Sequence, residues 1–298
     1  MHRSGTSFAA RSLALLGVSF GDEAQLMGPG PDNATGYWEN RFIKELDDEL
    51  LSALGGSWDQ PPVLDPGWER DPALEPFRAR GSALLDGAFG PPSERPEWIS
   101  FKDPRFSLLL PFWRTLVSIT TTVVIVRDPL EVAASLRSRN GIDTPQACLL
   151  WLRYLLAATG NDPGRLLVRH SDFFDALPAT LDRLAGHLGL PAPTPPIVAA
   201  AESHLDPGLR HHRSEDRREL DNPILELSLA VWNDGDVMTD AVDPLVGSAI
   251  GRGWLRPPIE THALDEARAK VVELTERLRK RARARKAAAA AERTPDER

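Results

Sequence analysis

Two hydrophobic patterns alternate along the chain. One recurs every three or four positions. Phe8, Leu13, Leu15 and Leu16 predict a helix over 5–17, with Gly17 as its stop. Phe42, Ile43, Leu46, Leu50, Leu51 and Leu54 predict another over about 40–54. Similar stretches predict helices near 74–87, 106–117, 129–138, 144–158 and 178–189. The second pattern is a short continuous apolar run. Residues 121–127 (TTVVIVR) are β-branched and end at Asp128-Pro129, which predicts a buried strand. Residues 165–170 (RLLVRH) predict a second strand and 97–102 (EWISFK) a short third. Strands alternating with helices predict a mostly parallel sheet with helices on both faces. Gly, Pro and Asn crowd residues 21–36, which read as a loop.

Beyond about 214 the strand signals stop. Residues 218–233 and 263–290 read as helices. Leu264, Val271 and Leu278 recur every seven positions, too few heptads for a coiled coil but enough for weak self-association through that helix. The Ala/Arg/Lys tail after 280 is expected to be mobile. The expected organisation is an α/β domain over 1–213 and a helical extension over 214–298. No internal repeat is visible.

Composition narrows the classes. The 298 residues are 42% hydrophobic and 26% charged, as in soluble globular proteins. No apolar run approaches the ~18 residues that span a bilayer, so no transmembrane segment is expected. No charged start followed by an apolar stretch marks a signal peptide. Cys148 is the single cysteine, which excludes an internal disulfide and makes a reducing, cytoplasmic location the expectation. The net charge of −8 is uneven: residues 264–298 hold 11 Lys and Arg against 7 Asp and Glu, which leaves the rest of the chain at −12. An acidic body argues against a nucleic-acid binder. Any anion site must therefore be local.

Two segments carry anion chemistry. Met1-His2-Arg3-Ser4-Gly5-Thr6-Ser7 opens directly into a helix. A helix N-terminus offers unpaired N–H groups and the positive end of a dipole. Gly5 admits an anion to the backbone, Ser4, Thr6 and Ser7 bring hydroxyls, and Arg3 brings a bidentate cation. An ordinary capped helix explains the same residues. The second segment is the strand ending in Arg127-Asp128-Pro129, with Ser135 in the following helix. A strand that delivers Arg127 at its carboxyl end places it where α/β ligands bind. Arg127 and Ser135 can converge on one phosphate. The rival reading is a kinase whose Asp128 holds Mg²⁺, but no Gly-Lys pair stands in the phosphate loop.

Taken together, HRSGTS, GYWEN, KDPR, RDPLEVAASL and RHSDF resemble the bacterial sulfotransferases that use 3′-phosphoadenosine 5′-phosphosulfate (PAPS), which are also similar to tyrosylprotein and heparan sulfate sulfotransferases. The resemblance covers about residues 1–213. It implies that Arg3, Ser4, Gly5, Thr6 and Ser7 hold the 5′-phosphosulfate and that Arg127 and Ser135 hold the 3′-phosphate. His170 stands where many relatives have a Tyr near the adenine. The resemblance implies sulfuryl transfer from PAPS to a hydroxyl or amine of a small-molecule, glycan or lipid acceptor, with no metal.

Three further groups bear on that chemistry. Lys102-Asp103-Pro104-Arg105 follows the strand 97–102. Lys102 is suited to neutralising the transferring group, and Asp103 to positioning the acceptor or orienting Arg3. The plain alternative makes Asp103 a helix cap, with Lys102 and Arg105 solvated. In Gly36-Tyr37-Trp38-Glu39-Asn40, a carboxylate beside two aromatics suits a partly desolvated base. Glu39 is the first candidate base and Asp103 the second. Plain helix-start charge and Trp38 packing explain the same segment. Leu209-Arg210-His211-His212-Arg213 is a basic island that reads as a loop over the nucleotide or as a solvated turn. Its two histidines lack further metal ligands.

A phosphate-cradling loop is normally the exit of a buried strand, and Met1 already lies in the loop. The expected fold is thus a three-layer parallel sheet resembling P-loop nucleotide-binding folds, with a helical C-terminal extension and with its first strand missing. An empty lane is expected beside 121–127. Either the coding sequence continues upstream, or the chain is a nucleotide-binding or scaffold homologue without catalysis.

Overall fold

The computed structural model describes residues 1–30, 33, 36–162, 164–205 and 223–233. Among them are ten α-helices and a two-stranded parallel sheet. In chain order these are α1 (Thr6–Leu15), α2 (Arg41–Ala53), α3 (Glu75–Phe89), α4 (Phe106–Arg114), β1 (Val123–Val126), α5 (Pro129–Asn140), α6 (Thr144–Asn161), β2 (Leu166–Arg169), α7 (Asp172–Asp175), α8 (Leu177–Leu188), α9 (Pro195–Glu202) and α10 (Pro223–Asn233). The fold is mixed α/β. The basic island at 209–213, the helix expected over 263–290 and the tail after 280 lie outside the described residues.

Local chemistry sets several helix starts. Asn40 caps α2 by accepting from the N–H groups of Phe42 and Ile43. Asp128 caps α5 through Leu130 N–H, with Pro129 at the first helical position. Asp143 does the same for α6 through Gln146 N–H. Two helices were not anticipated. α7 is a single turn, and α9 opens on two prolines and buries only Ala201, so neither carries an amphipathic stripe.

β1 and β2 pair in register, Val123 with Leu166 through Val126 with Arg169. Successive side chains of β1 go to opposite faces. Val124 and Val126 join a core built on α2, α4, α5 and α6, with Leu46, Phe112, Trp113 and Trp151 at its centre. Val123 and Ile125 join a second core built on α1 and α8, with Leu13, Leu181 and Leu184. Helices therefore cover both faces of the pair. α10 adds Leu225 and Val231 to the first core, and Ser228 Oγ donates to the Cys148 carbonyl across α6 at 3.4 Å. No described helix is long and apolar enough to cross a membrane.

The expected strand at 97–102 is reduced to one parallel bridge, Ile99 with Ser19. Its backbone is paired toward Ser19 only, and a one-sided contact between short segments does not sustain a ladder. Between this segment and β1 lies a groove of about 250 Å³, lined by Met1, by residues of 98–107 and by residues of 117–125. It occupies the lane expected beside 121–127.

Candidate functional site

Five separate stretches of chain meet at the start of α1. Gly5 is the N-cap of α1, with φ 80° and ψ 19°, and no side chain caps the helix. No acidic residue stands in its first turn. Glycine is needed here for space as well as for φ. A Cβ on Gly5 would lie 2.2 Å from Cδ2 of His170. The His170 ring thus covers the loop, held edge-on to Phe174 with centroids 5.1 Å apart. Its backbone N–H donates to the Val126 carbonyl at 2.8 Å, which carries the β1–β2 pairing one residue past β2. Arg3 also has a positive φ, 64°, the left-handed region uncommon outside glycine.

The two anion motifs touch each other. Arg3 Nε donates to Ser135 Oγ at 2.8 Å, and Arg127 Nη1 donates to the Arg3 carbonyl at 3.2 Å. Arg127 Nε donates to Glu131, one turn into α5, at 2.7 Å. Trp151 Nε1 donates to the Arg127 carbonyl at 2.9 Å and fixes the end of β1 against α6. Ser4 Oγ is buried and has no partner among the described residues.

The candidate base and its cation also meet. Lys102 Nζ donates to Glu39 Oε1 at 2.6 Å, with both side chains almost wholly buried. The same nitrogen lies 3.4 Å from Ser7 Oγ. Ser7 Oγ donates to the Tyr37 carbonyl at 3.1 Å and accepts from Asn33 Nδ2 at 3.2 Å. Ser7 therefore ties the GYWEN segment to α1, and its proton faces Tyr37. Trp38, just before Glu39, has φ 62° and packs edge-on to Phe20 at 5.6 Å. Thr6 lines the groove.

Asp103 occupies neither expected place. α4 starts at Phe106, so Asp103 is not its N-cap, and its carboxylate binds Arg105 rather than Arg3. Asp103 Oδ1 accepts from Arg105 N–H at 2.8 Å and from Arg105 Nη1 at 3.0 Å. Burial raises the Asp103 pKa, the Arg105 charge opposes that rise, and the nearby Glu39 adds to it. Arg105 is not solvated: it is 4% exposed and also donates to Asp48 at 2.5 Å. Burial works against its charge, and the Asp103 and Asp48 carboxylates more than restore it.

Sequence reasoning missed two buried polar groups beneath this site. Asp47 is fully buried on α2, accepts from Trp113 Nε1 at 2.9 Å, and leaves Oδ2 without a partner among the described residues. Burial, followed by the charge of Asp103, holds its pKa well above the usual carboxylate value. The signal was present, because Asp47 stands between Leu46 and Leu50 on the apolar stripe. His2 packs against Trp58 at 4.6 Å and Tyr154 at 5.9 Å. Burial first, and Arg105 next, keep its imidazole neutral.

The described residues contain no group of three or more His, Cys, Asp or Glu placed to hold a metal. The chain was compared with protein-family models, with curated proteins and with solved structures, and it matches none of them.

Proposed function

We propose that the chain is a sulfotransferase that moves a sulfuryl group from PAPS to an acceptor hydroxyl or amine, on a three-layer fold of the P-loop kind. One observation carries the reading. Arg3, Arg127 and Ser135 come from distant parts of the chain and converge on the uncapped start of α1, beside the Glu39–Lys102 pair. The residues fit an anionic donor. The uncapped amides of α1, the close approach allowed at Gly5 and the unpartnered, buried Ser4 Oγ all suit phosphate or sulfate oxygens.

In this reading PAPS supplies an activated sulfuryl group on a phosphate leaving group. Arg127 and Ser135 hold its 3′-phosphate, and Arg3, Ser4 and the amides after Gly5 hold the 5′ end. His170 covers the loop from the nucleotide side. Glu39 accepts the proton that the acceptor O–H or N–H loses. Lys102 holds that carboxylate in place and offsets charge on the transferred group. Asp103, fastened to Arg105, serves as a positioning residue beneath Lys102.

The test combines binding and turnover. Calorimetry should find that 3′-phosphoadenosine 5′-phosphate (PAP) binds more tightly than AMP. Arg127→Ala should weaken PAP by about 1.5–3 kcal/mol. Labelled PAPS offered with glycan, lipid and small-alcohol acceptors should give a sulfated product, and Glu39→Gln should lose turnover while keeping PAP affinity. Equal binding of PAP and AMP, unaffected by Arg127→Ala, would remove the basis for the assignment. Full activity of Glu39→Gln across pH would move the base elsewhere.

A further inference from the structure

The groove beside β1 has walls made of backbone. Ser19 N–H donates to the Trp98 carbonyl at 2.9 Å, and Ser100 N–H donates to the Ser19 carbonyl at 2.8 Å. Trp98 and Ser100 thus turn these groups toward Ser19. Extended backbone alternates, so Ile99 and Phe101 turn theirs into the groove. On the other wall Leu166 N–H donates to the Thr122 carbonyl and His170 N–H to the Val126 carbonyl. Residues 122, 124 and 126 therefore face β2, and Val123 and Ile125 face the groove. Among the described residues no hydrogen bond reaches the backbone of Ile99, Phe101, Val123 or Ile125 from that side.

Both walls run the same way. Lys102, at the end of one, lies close enough to the Met1 amine to perturb it. Arg127, at the end of the other, donates to the Arg3 carbonyl. Above and below, the groove is apolar: Ala9, Ala10 and Leu13 come from α1, and Phe106, Leu110 and Ala158 from α4 and α6. Two parallel backbone edges with apolar faces on either side describe the surroundings of one central strand in a parallel sheet.

We propose that the groove is an acceptor slot for a single β-strand, an extended apolar peptide of about five residues that lies parallel to β1 and whose carboxyl end is joined to the Met1 nitrogen. A lipid tail or aromatic ligand would fill the apolar faces but leave the backbone of four residues dry and unpaired. A strand satisfies both edges at once. Met1 decides the attachment. Its amine is buried at the carboxyl end of the slot, where burial and then Lys102 push its pKa down to about 5. An amide at that nitrogen carries no charge to desolvate. A strand ending there runs directly into His2, Arg3 and the start of α1.

Two versions of the full chain test this, without any nucleotide. One carries Val-Ile-Val-Val-Gly ahead of Met1, and the other Ser-Gly-Ser-Ser-Gly. The apolar extension should slow hydrogen exchange at the amides of Ile99, Phe101, Val123 and Ile125 by roughly tenfold or more. It should also raise the Tm by ~4 °C or more, and the polar extension should do neither. The proposal is overturned if the two extensions behave alike. It is also overturned if these amides are already as protected as Val124 in the unextended chain, or if that chain is a dimer that exposes them only on dissociation.

Discussion

Replacing Gly5 with alanine tests how tightly the loop before α1 is built. Two costs arise, and the structure separates them. The first is backbone: φ at Gly5 is 80°, where an L-residue pays about 1–2 kcal/mol. The second is overlap. The added methyl would sit 2.2 Å from Cδ2 and 2.8 Å from Nε2 of His170, so the ring must leave. Overpacking of this kind costs about 1–3 kcal/mol. The total for Gly5→Ala is about 2–5 kcal/mol, measured by urea unfolding. His170→Ala removes the overlap but not the backbone cost. Adding Gly5→Ala to His170→Ala should therefore cost only about 1–2 kcal/mol, and the coupling between the two sites should be about 1–3 kcal/mol. If Gly5→Ala costs the same in both backgrounds, His170 does not press on the loop. If it costs under about 0.5 kcal/mol alone, the left-handed start of α1 is also wrong.

Asp47→Asn keeps the acceptor for Trp113 and removes a titration. The Asp47 pKa is raised on folding, so its contribution to stability is complete below the ordinary value near 3.8 and is lost as pH rises through the folded value. The variant should therefore gain on the parent between pH 4 and pH 7, as read from urea midpoints at both; a constant gap would place Asp47 in water. Arg105→Met leaves Asp103 and Asp48 without their cation, and should cost about 3–5 kcal/mol in the same assay. A loss under 1 kcal/mol would mean that Arg105 is solvated after all.

Most of the scaffold was legible because its signals are local. The stripe Ile43, Leu46, Leu50 and Leu51 names α2, and the run Val123–Val126 names β1, without reference to anything else in the chain. Asp128-Pro129 marks the start of α5 in the same way. The segment 97–102 was misjudged because a strand is a property of its neighbours. EWISFK has the residues of a strand, but only Ser19 pairs with it. α9 escaped because Pro195, Pro196 and three alanines leave no stripe to read. In the site, Arg3, Arg127 and Ser135 come together as their motifs suggested. The fate of charges was harder to read. Arg105 and Asp103 look like a solvated turn in sequence, and only the folded packing over α2 makes them a buried pair.

The meeting of distant stretches at the start of α1 has a consequence for the whole molecule. Arg3 leads into the core under α1, while Arg127 and Ser135 sit at the edge of the core under α5 and α6. An anion held by all three acts as a non-covalent rivet through both cores. The unfolded chain, in which residues 3 and 135 are far apart, offers no such grip. Occupancy therefore feeds into global unfolding: ligand at a hundred times its Kd adds about 2.7 kcal/mol. A change in melting temperature, read across a library of nucleotides, turns the cleft into its own reporter and ranks ligands before any acceptor is known.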